Sequence, residues 1–324
     1  MRDNYEQAPT VPVTAAAREF ASGWPVVLGA FVGIGVGIFA LPTPAIGVFM
    51  RALQAEFGWT RAQISVGPTI LVITLALVMP MLGWLTDRLA AAWLCGIGLA
   101  ALGASLYGFS LLGPDVHIFY VGCAAMAVFS CGATTLPYAR ALSAQFIRAR
   151  GLALGIAISG NGLTGILLPV LLVPYAAEAG WRHGFVALAI IAALGAPIVA
   201  FLVSRGRSGP VVDTHTDGDK GISIQAAMGK RTLWIMLFCF ISIASAVAGL
   251  QVHVLPFLAD SGVAPARAGA IASLGGAGLI VGLLGRGIEY HLLATSWRSQ
   301  LWYGAPARLR WIACSISCNR SNSK

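Results

Sequence analysis

Long stretches without a charged residue divide the chain into blocks of membrane-spanning length. A helix needs roughly 20 mainly apolar residues to cross a hydrocarbon layer of about 30 Å. Eight charge-free stretches meet or approach that length, and each predicts one span. They are Trp24–Met50, Ala62–Leu85, Leu89–Pro114, Val116–Ala139, Gly151–Ala177, His183–Ser204, Thr232–Ala259 and Ala268–Gly285.

The spans are predicted to be helices rather than barrel strands. Only helices and closed barrels satisfy every backbone hydrogen bond inside lipid. Barrel strands would alternate polar and apolar residues over roughly ten positions, and these stretches do not alternate. The fold class is therefore all-α and integral to the membrane.

Composition supports this class and excludes several others. The chain is 57% hydrophobic and only 10% charged, whereas a soluble domain carries roughly 25% charged residues. The net charge of +9 does not indicate nucleic acid binding, because the basic residues lie mainly between apolar blocks rather than on one face. We expect a lipid bilayer and no nucleic acid as the surroundings of this chain.

We also expect no catalytic site, cofactor or metal. No Asp or Glu lies inside a span, and no phosphate-binding G-x-x-x-x-G-K-[ST] motif occurs. Four of the six cysteines lie inside apolar blocks, where cysteine behaves as a small hydrophobe. Cys314 and Cys318 have no His or Cys neighbours at the spacing of a zinc site.

Basic residues predict the orientation of the spans. With a cytoplasmic N-terminus, the cytoplasmic segments hold eleven Lys and Arg residues and the outer segments hold four. This asymmetry follows the positive-inside rule. We expect a multi-pass protein of a bacterial inner membrane, with a cytoplasmic N-terminus. The eleven are Arg2, Arg18, Arg88, Arg140, Arg148, Arg150, Arg205, Arg207, Lys220, Lys230 and Arg231; the four are Arg51, Arg61, Arg182 and Arg267.

The order of polar and apolar segments predicts a two-bundle organisation. A cytoplasmic segment (1–23) precedes a six-helix bundle (24–204), and a polar cytoplasmic linker (205–231) follows it. Two further helices (232–285) begin a second bundle, as in transporters built from repeated halves. The remaining residues (286–324) form an atypical polar and basic tail, which we interpret as a frameshifted or prematurely ended reading frame.

Three local motifs resemble the major facilitator superfamily of secondary transporters. Gly83-Trp84-Leu85-Thr86-Asp87-Arg88 matches the family's G-x-x-x-D-R loop motif, although Leu89-Ala90-Ala91-Ala92 replaces the basic run that should follow. The segments Arg148–Gly162 and His253–Leu258 resemble the branch of monocarboxylate porters and oxalate–formate antiporters. The resemblance covers about residues 20–285.

This resemblance implies a twelve-helix bundle in two halves, of which about eight helices are present. It implies alternating access for a small solute, such as a monocarboxylate or other organic anion, with a coupling proton or counter-anion. Two alternatives remain: an inactive, truncated remnant of such a transporter, and a polytopic membrane enzyme or receptor. The sequence does not indicate an oligomeric state.

The loop motif Gly83, Asp87 and Arg88 lies where spans two and three meet. An acid at this point could pair with a helix N-terminus or a basic residue in one conformation and release it in another. The motif would then act as a conformational latch. The alternative is a solvated acid–base pair that ends two spans.

Small residues and a proline mark helix five as a packing or hinge element. Gly155, Gly162 and Pro169 are the positions that we single out, because small residues allow close helix approach and proline allows a bend. The alternative is packing without any motion.

Polar residues inside spans are the candidates for the solute path. Arg140 could hold a carboxylate in a bidentate contact or could extend to the membrane interface. His253 could exchange protons near neutral pH or could be a packed, neutral histidine. Asn161 could bond a solute or a neighbouring helix. The full set is Arg140, Tyr138, Asn161, Gln251 and His253.

Overall fold

A computed structural model describes residues 13–147, 149–206, 229–264 and 267–282. The described residues form ten α-helices and one short 3₁₀ helix, with no strand among them. The helices are α1 (Val13–Gly35), α2 (Pro42–Phe57), α3 (Arg61–Arg88), α4 (Ala91–Ser110), α5 (Val116–Phe129), η1 (Cys131–Ala133), α6 (Thr135–Gln145), α7 (Arg150–Ala179), α8 (Trp181–Ser204), α9 (Arg231–Asp260) and α10 (Arg267–Gly282).

The predicted all-α membrane fold is confirmed. Five of the described helices are continuous, long and apolar enough to cross a membrane: α3, α4, α7, α8 and α9. Of the predicted segments, most of the linker and the whole tail lie outside the described residues. The contacts discussed below all lie within Met1–Ile280; Val281–Lys324 forms a separate unit, described only for the last two residues of α10.

The first predicted span is two helices and not one, contrary to the sequence prediction. α1 ends at Gly35, residues 36–41 form turns, and α2 begins at Pro42. Proline lacks the backbone N–H that a continuous helix would use, but it fits the first turn of a new helix. Pro42 therefore marks the start of α2 rather than a bend within one helix.

The fourth predicted span is also broken, between α5 and α6. The chain passes through η1 and resumes as an α-helix at Thr135. Gly132 allows this path, because a Cβ atom there would overlap the carbonyl oxygen of Leu94 in α4. Pro137 lies in the first turn of α6, where its missing N–H is harmless.

The two breaks lie against each other. The amide of Ile38 donates a hydrogen bond to the carbonyl of Ala133 at 3.4 Å. A Cβ atom at Gly37 would lie 2.6 Å from the same carbonyl oxygen, so only glycine fits. On the other side, the Thr164 hydroxyl of α7 donates to the carbonyl of Gly35 at 2.6 Å, which satisfies the last turn of α1.

Helix packing depends on small residues at the crossings. α4 packs along α8, α1 packs against α7 and α8, and α3 packs against α5. At the α4–α8 crossing, a Cβ at Gly96 would lie 2.9 Å from the Ala200 methyl carbon, and one at Gly103 would lie 3.0 Å from the Ala189 carbonyl oxygen. Small residues let backbones approach closely, which is how helices associate in lipid.

Short connections make successive spans run in opposite directions, so the charged residues gather at two ends. We call these the Arg140 end, where α3, α6 and α8 finish, and the Arg182 end, where α2, α7 and α9 finish. Between the ends, large apolar side chains such as Leu77, Trp93 and Leu194 are mostly exposed. A surface of this kind is stable against hydrocarbon and not against water.

We predict that Gly160→Ala destabilises the fold whereas Gly155→Ala does not. Both glycines lie in α7, but a Cβ at Gly160 would overlap the carbonyl oxygen of Phe31 in α1, and a Cβ at Gly155 would meet nothing within 4 Å. Overpacking of this kind costs roughly 1–3 kcal/mol, and alanine at an unhindered helical glycine stabilises by about 0.5–1 kcal/mol. Thermal unfolding in detergent measures both, and equal melting of the two variants would contradict the close α1–α7 crossing.

Candidate functional site

A cavity of about 160 Å³ lies at the two helix breaks. It is bounded by the break between α1 and α2, the break between η1 and α6, and the middle of α7. Its volume is smaller than the roughly 300–1,000 Å³ of sites for drug-sized ligands. The lining residues are Ile34, Gly37, Phe39, Ala133, Thr135, Ile158 and Asn161.

The polar groups of this cavity are two side chains and the first turn of α6. None of its lining residues is charged, and its polar side chains are Thr135 and Asn161. Thr135 is the first residue of α6, and within the described residues the amides of Thr135 and Leu136 have no hydrogen-bond partner. Free amides at a helix N-terminus, with the positive end of the helix dipole, bind anions.

Further unsatisfied hydroxyl groups surround the same break. Ser130 and Thr134 each bury a hydroxyl that has no partner among the described residues, and the buried Tyr138 hydroxyl lies beside the Cys95 thiol. A buried polar group without a partner costs roughly 1–3 kcal/mol. The break in the fourth span therefore concentrates hydrogen-bonding capacity that water or a solute could use.

The solute-path candidates separate into different environments. Asn161 lines the cavity, whereas Tyr138 is fully buried, with its ring against Gly33 of α1. His253 is exposed on α9 and does not line the cavity. The backbone of Gln251 lies in α9, and its side chain is outside the described part of the structure.

Arg140 contacts the loop motif and is not among the residues that line the cavity. Its guanidinium forms an ion pair with Asp87, donates to the Thr86 hydroxyl at 2.5 Å and lies 3.5 Å from the Gly83 carbonyl oxygen. Arg88 stacks on the Trp84 ring at 4.1 Å instead. The motif is thus tied to α6 by one arginine, an arrangement that the sequence alone did not predict.

The proposed packing residues of α7 face different neighbours. A Cβ atom at Gly162 would lie 3.0 Å from the carbonyl oxygen of Gly276 in α10. A Cβ atom at Gly165 would lie 3.2 Å from the Cα of the same residue. A Cβ atom at Gly269 of α10 would lie 2.9 Å from the carbonyl oxygen of Pro169. Gly155 faces open space. α10 therefore crosses α7 closely at glycines, and the Ile280 side chain of α10 packs against Gly162.

A second charged cluster lies at the Arg182 end, and sequence reasoning missed it. Glu56 accepts hydrogen bonds from Arg182 at 2.5 Å and from the Trp181 indole at 2.6 Å. Arg182 also donates to the Leu112 carbonyl at 3.0 Å. These donors, led by the Arg182 guanidinium, hold the pKa of the Glu56 carboxyl below its usual value. The cluster joins the end of α2 to the start of α8.

Comparison with known proteins identifies the family. Residues 26–307, most of the chain, match the family model of the Major Facilitator Superfamily. The chain belongs to the major facilitator superfamily. The superfamily match extends past residue 285, the limit of the resemblance in the sequence analysis, and it confirms the predicted family.

Curated relatives of this superfamily member are named as transporters. The uncharacterized MFS-type transporter YcxA of Bacillus subtilis is 26% identical over 81% of this chain and 64% of its own length. Human monocarboxylate transporter 11 is 26% identical over 84% of this chain and 58% of its own length. The riboflavin transporter RibJ of Trypanosoma brucei brucei is 27% identical over 43% of this chain and 25% of its own length.

The chain spans about three fifths of the length of the first two relatives. Membership of a superfamily whose matched members are named transporters confirms the expectation of a transporter-family protein rather than an enzyme. The match to a monocarboxylate transporter agrees with the branch that the motifs indicated.

We predict that Glu56→Gln lowers the melting temperature of this superfamily member at pH 7 and has a smaller effect at lower pH. The pKa of Glu56 is lowered in the folded state, so its ion pair stabilises the fold above the unfolded pKa, and this contribution is lost as the pH falls through the folded pKa. As the pH is lowered from 7 to about 3, the melting temperature of Glu56→Gln should approach that of the parent. Glu178→Gln, at an exposed acid of the same end, is the control; a constant difference for Glu56→Gln would contradict the assignment.

Proposed function

We propose that this chain is a secondary transporter that moves a small organic anion, such as a monocarboxylate, by alternating access. The observation that carries the proposal is the uncharged cavity at the free N-terminus of α6. Discontinuous helices whose N-termini point to a central site bind anionic groups in other secondary transporters. The name of the human relative supports a monocarboxylate as the solute class.

The cavity offers hydrogen-bond donors suited to one carboxylate. These are the backbone amide and the hydroxyl of Thr135 and the side-chain amide of Asn161. A hydrogen bond to a charged group contributes roughly 1.5–3 kcal/mol, so two or three of them give roughly 3–9 kcal/mol. That corresponds to dissociation constants from the millimolar range to somewhat below about 1 μM, and the weaker part of this range allows release on the far side.

The remaining wall favours a short carbon skeleton. Ile34, Phe39 and Ile158 supply apolar surface opposite the polar groups. A short alkyl or keto acid presents one charged end and one small apolar end, and so matches both. A bulky three-ring compound such as riboflavin, the solute named for the trypanosomal relative, exceeds this volume.

Access alternates, in this proposal, between the Arg140 end on the cytoplasmic side and the Arg182 end on the outer side. The excess of basic residues in segments at the Arg140 end supports this orientation. The ion pair between Arg140 and Asp87 then acts at the cytoplasmic end, as the contact that holds α3 against α6 in one conformation. Gly162, Gly165 and Gly276 form the close crossing at which α10 tilts over α7 in this proposal.

The driving force is a proton or a counter-anion gradient. The chain has no phosphate-binding motif through which ATP could drive transport. His253 on α9 is the candidate for proton exchange, because histidine commonly acts as a proton shuttle. Uptake driven by an imposed pH gradient, compared with uptake driven by an internal anion, distinguishes the two modes.

Counterflow into proteoliposomes tests the proposal. Vesicles that contain the purified chain and an unlabelled carboxylate are mixed with trace labelled formate, acetate, lactate, pyruvate or oxalate, and with labelled riboflavin as a large comparison solute. We expect at least one carboxylate to accumulate transiently inside, and riboflavin and the neutral amide of lactate to remain outside. Uptake equal to that of empty vesicles across the panel would refute the proposal.

A further inference from the structure

A single carboxylate at the Arg182 end holds two arginines. Asp260, the last residue of α9, accepts from Arg51 of α2 at 2.6 Å and from Arg61, the first residue of α3, also at 2.6 Å. These three side chains are half-exposed and form a cluster separate from Glu56 and Arg182.

The cluster joins parts of the chain on opposite sides of the polar linker. Arg51 and Arg61 belong to the first six spans, whereas Asp260 ends the first helix after the linker. Next to it, Val252 and Leu255 of α9 are buried, and α9 packs against α2. The cluster therefore covers the contact that α9 makes with the first bundle.

Within the described residues, the buried side chains of α9 lie in its last turns. Residues 231–248, its first eighteen, are all exposed. The buried part of α9 is thus near the Arg182 end.

Half-exposed ion pairs are suited to a contact that forms and breaks. Pairs of this kind contribute little net stability because water solvates the separated charges well. Two arginines on one carboxylate nevertheless give a defined geometry with directed, charge-assisted hydrogen bonds. A contact with these properties biases a two-state equilibrium without fixing it.

We propose that Asp260, with Arg51 and Arg61, is a latch that closes the Arg182 end by clamping α9 to α2 and α3. Opening of this end requires the carboxylate to leave both arginines, so that α9 separates from α2 and uncovers Val252 and Leu255. The proposal rests on alternating access as the proposed function, to which it adds the contact that controls one end.

The test measures access to a buried reporter and needs no solute. In a background in which Cys239, Cys314 and Cys318 are serine, Val252→Cys places a thiol beneath the latch. Adding Asp260→Asn should raise the rate of its modification by a water-soluble thiol reagent at least threefold. Glu178→Gln, which removes an acid at the same end, should leave that rate unchanged, and Leu255→Cys serves as a second reporter.

Two further experiments distinguish a latch based on charge pairing from a general loss of helix packing. Exchanging the charges, with Asp260→Arg combined with Arg51→Asp and Arg61→Asp, should return the rate toward that of the parent. Raising the salt from about 0.1 M to 1 M shortens the screening length from about 10 Å to 3 Å, and should increase modification in the parent but not in Asp260→Asn. Melting curves confirm that each variant is folded.

The outcomes distinguish the latch from the proposed function. Unchanged modification of both reporters in Asp260→Asn overturns the latch, whatever the vesicles transport. Increased modification that the charge exchange reverses supports the latch, even if no carboxylate enters the vesicles. An absence of carboxylate uptake would refute the transport proposal and leave the latch standing. Increased modification that the exchange does not reverse also overturns the latch, because it shows loosening without charge pairing.

Discussion

Asn161→Asp is expected to abolish carboxylate uptake. Asn161 lines the cavity beside Thr135, so the variant places a negative charge where the solute's own carboxylate binds. Two like charges about 4 Å apart repel by roughly 4 kcal/mol at an effective dielectric constant of 20. Each 1.4 kcal/mol is a tenfold change in affinity, so we expect a loss of roughly a hundredfold or more in uptake at low solute concentration.

The matched control makes the same chemical change elsewhere in the first bundle. Gln54→Glu in α2 also converts an amide to a carboxylate, but Gln54 does not line the cavity. Its uptake should stay within about twofold of the parent. Asn161→Leu, which removes the amide without adding charge, should lose roughly tenfold, the value of one hydrogen bond to a charged group. Full uptake by Asn161→Asp would show that the anion does not pass this cavity.

Arg140→Ala is expected to stop transport while leaving the fold nearly as stable as before. Its guanidinium is the group that ties α6 to Thr86 and Asp87 at the end of α3. Because the pair is partly exposed, its loss should cost at most about 1 kcal/mol of stability. Transport depends on the contact forming in one conformation, so we expect uptake to fall at least tenfold with little change in melting temperature.

Four further variants serve as controls for this prediction. Arg140→Lys should recover only part of the activity, since lysine lacks the planar fork that contacts Thr86 and Asp87 together. Asp87→Asn should lose as much as Arg140→Ala, and the double variant should lose no more than either alone. Arg205→Ala, at the same end but stacked on Phe201, should transport normally. A large loss in Arg205→Ala would contradict a specific role for the pair.

The all-α membrane fold could be predicted from the sequence, because length and the absence of charge determine what lipid accepts. The two breaks could not be placed by that criterion, since the chain remains uncharged through residues 36–41 and 130–134. The available signal was local: glycines followed closely by prolines, as in Gly37 with Pro42 and Gly132 with Pro137. These prolines lie in the first turns of new helices.

The contacts between charged residues could not be read from the sequence. Asp87 was identified by its motif, yet its partner Arg140 lies two spans later and was considered for the solute path. Asp260 and Glu56 carry no motif, and their partners are brought together only by helix packing. Asn161 was among the candidates because a polar side chain is costly in the hydrocarbon layer and therefore rare in a span. The structure places it in the lining of the cavity.

The most direct test of the central claim measures solute protection of a thiol in the cavity. Thr135→Cys is introduced where Cys239, Cys314 and Cys318 are serine, and its modification by a small thiol reagent is followed in proteoliposomes. The carboxylate that shows counterflow should slow this modification with a half-effective concentration near its transport KM, while Ser242→Cys on the exposed face of α9 is modified at an unchanged rate. Modification of Thr135→Cys at the same rate with and without that carboxylate would contradict a solute site at the two helix breaks.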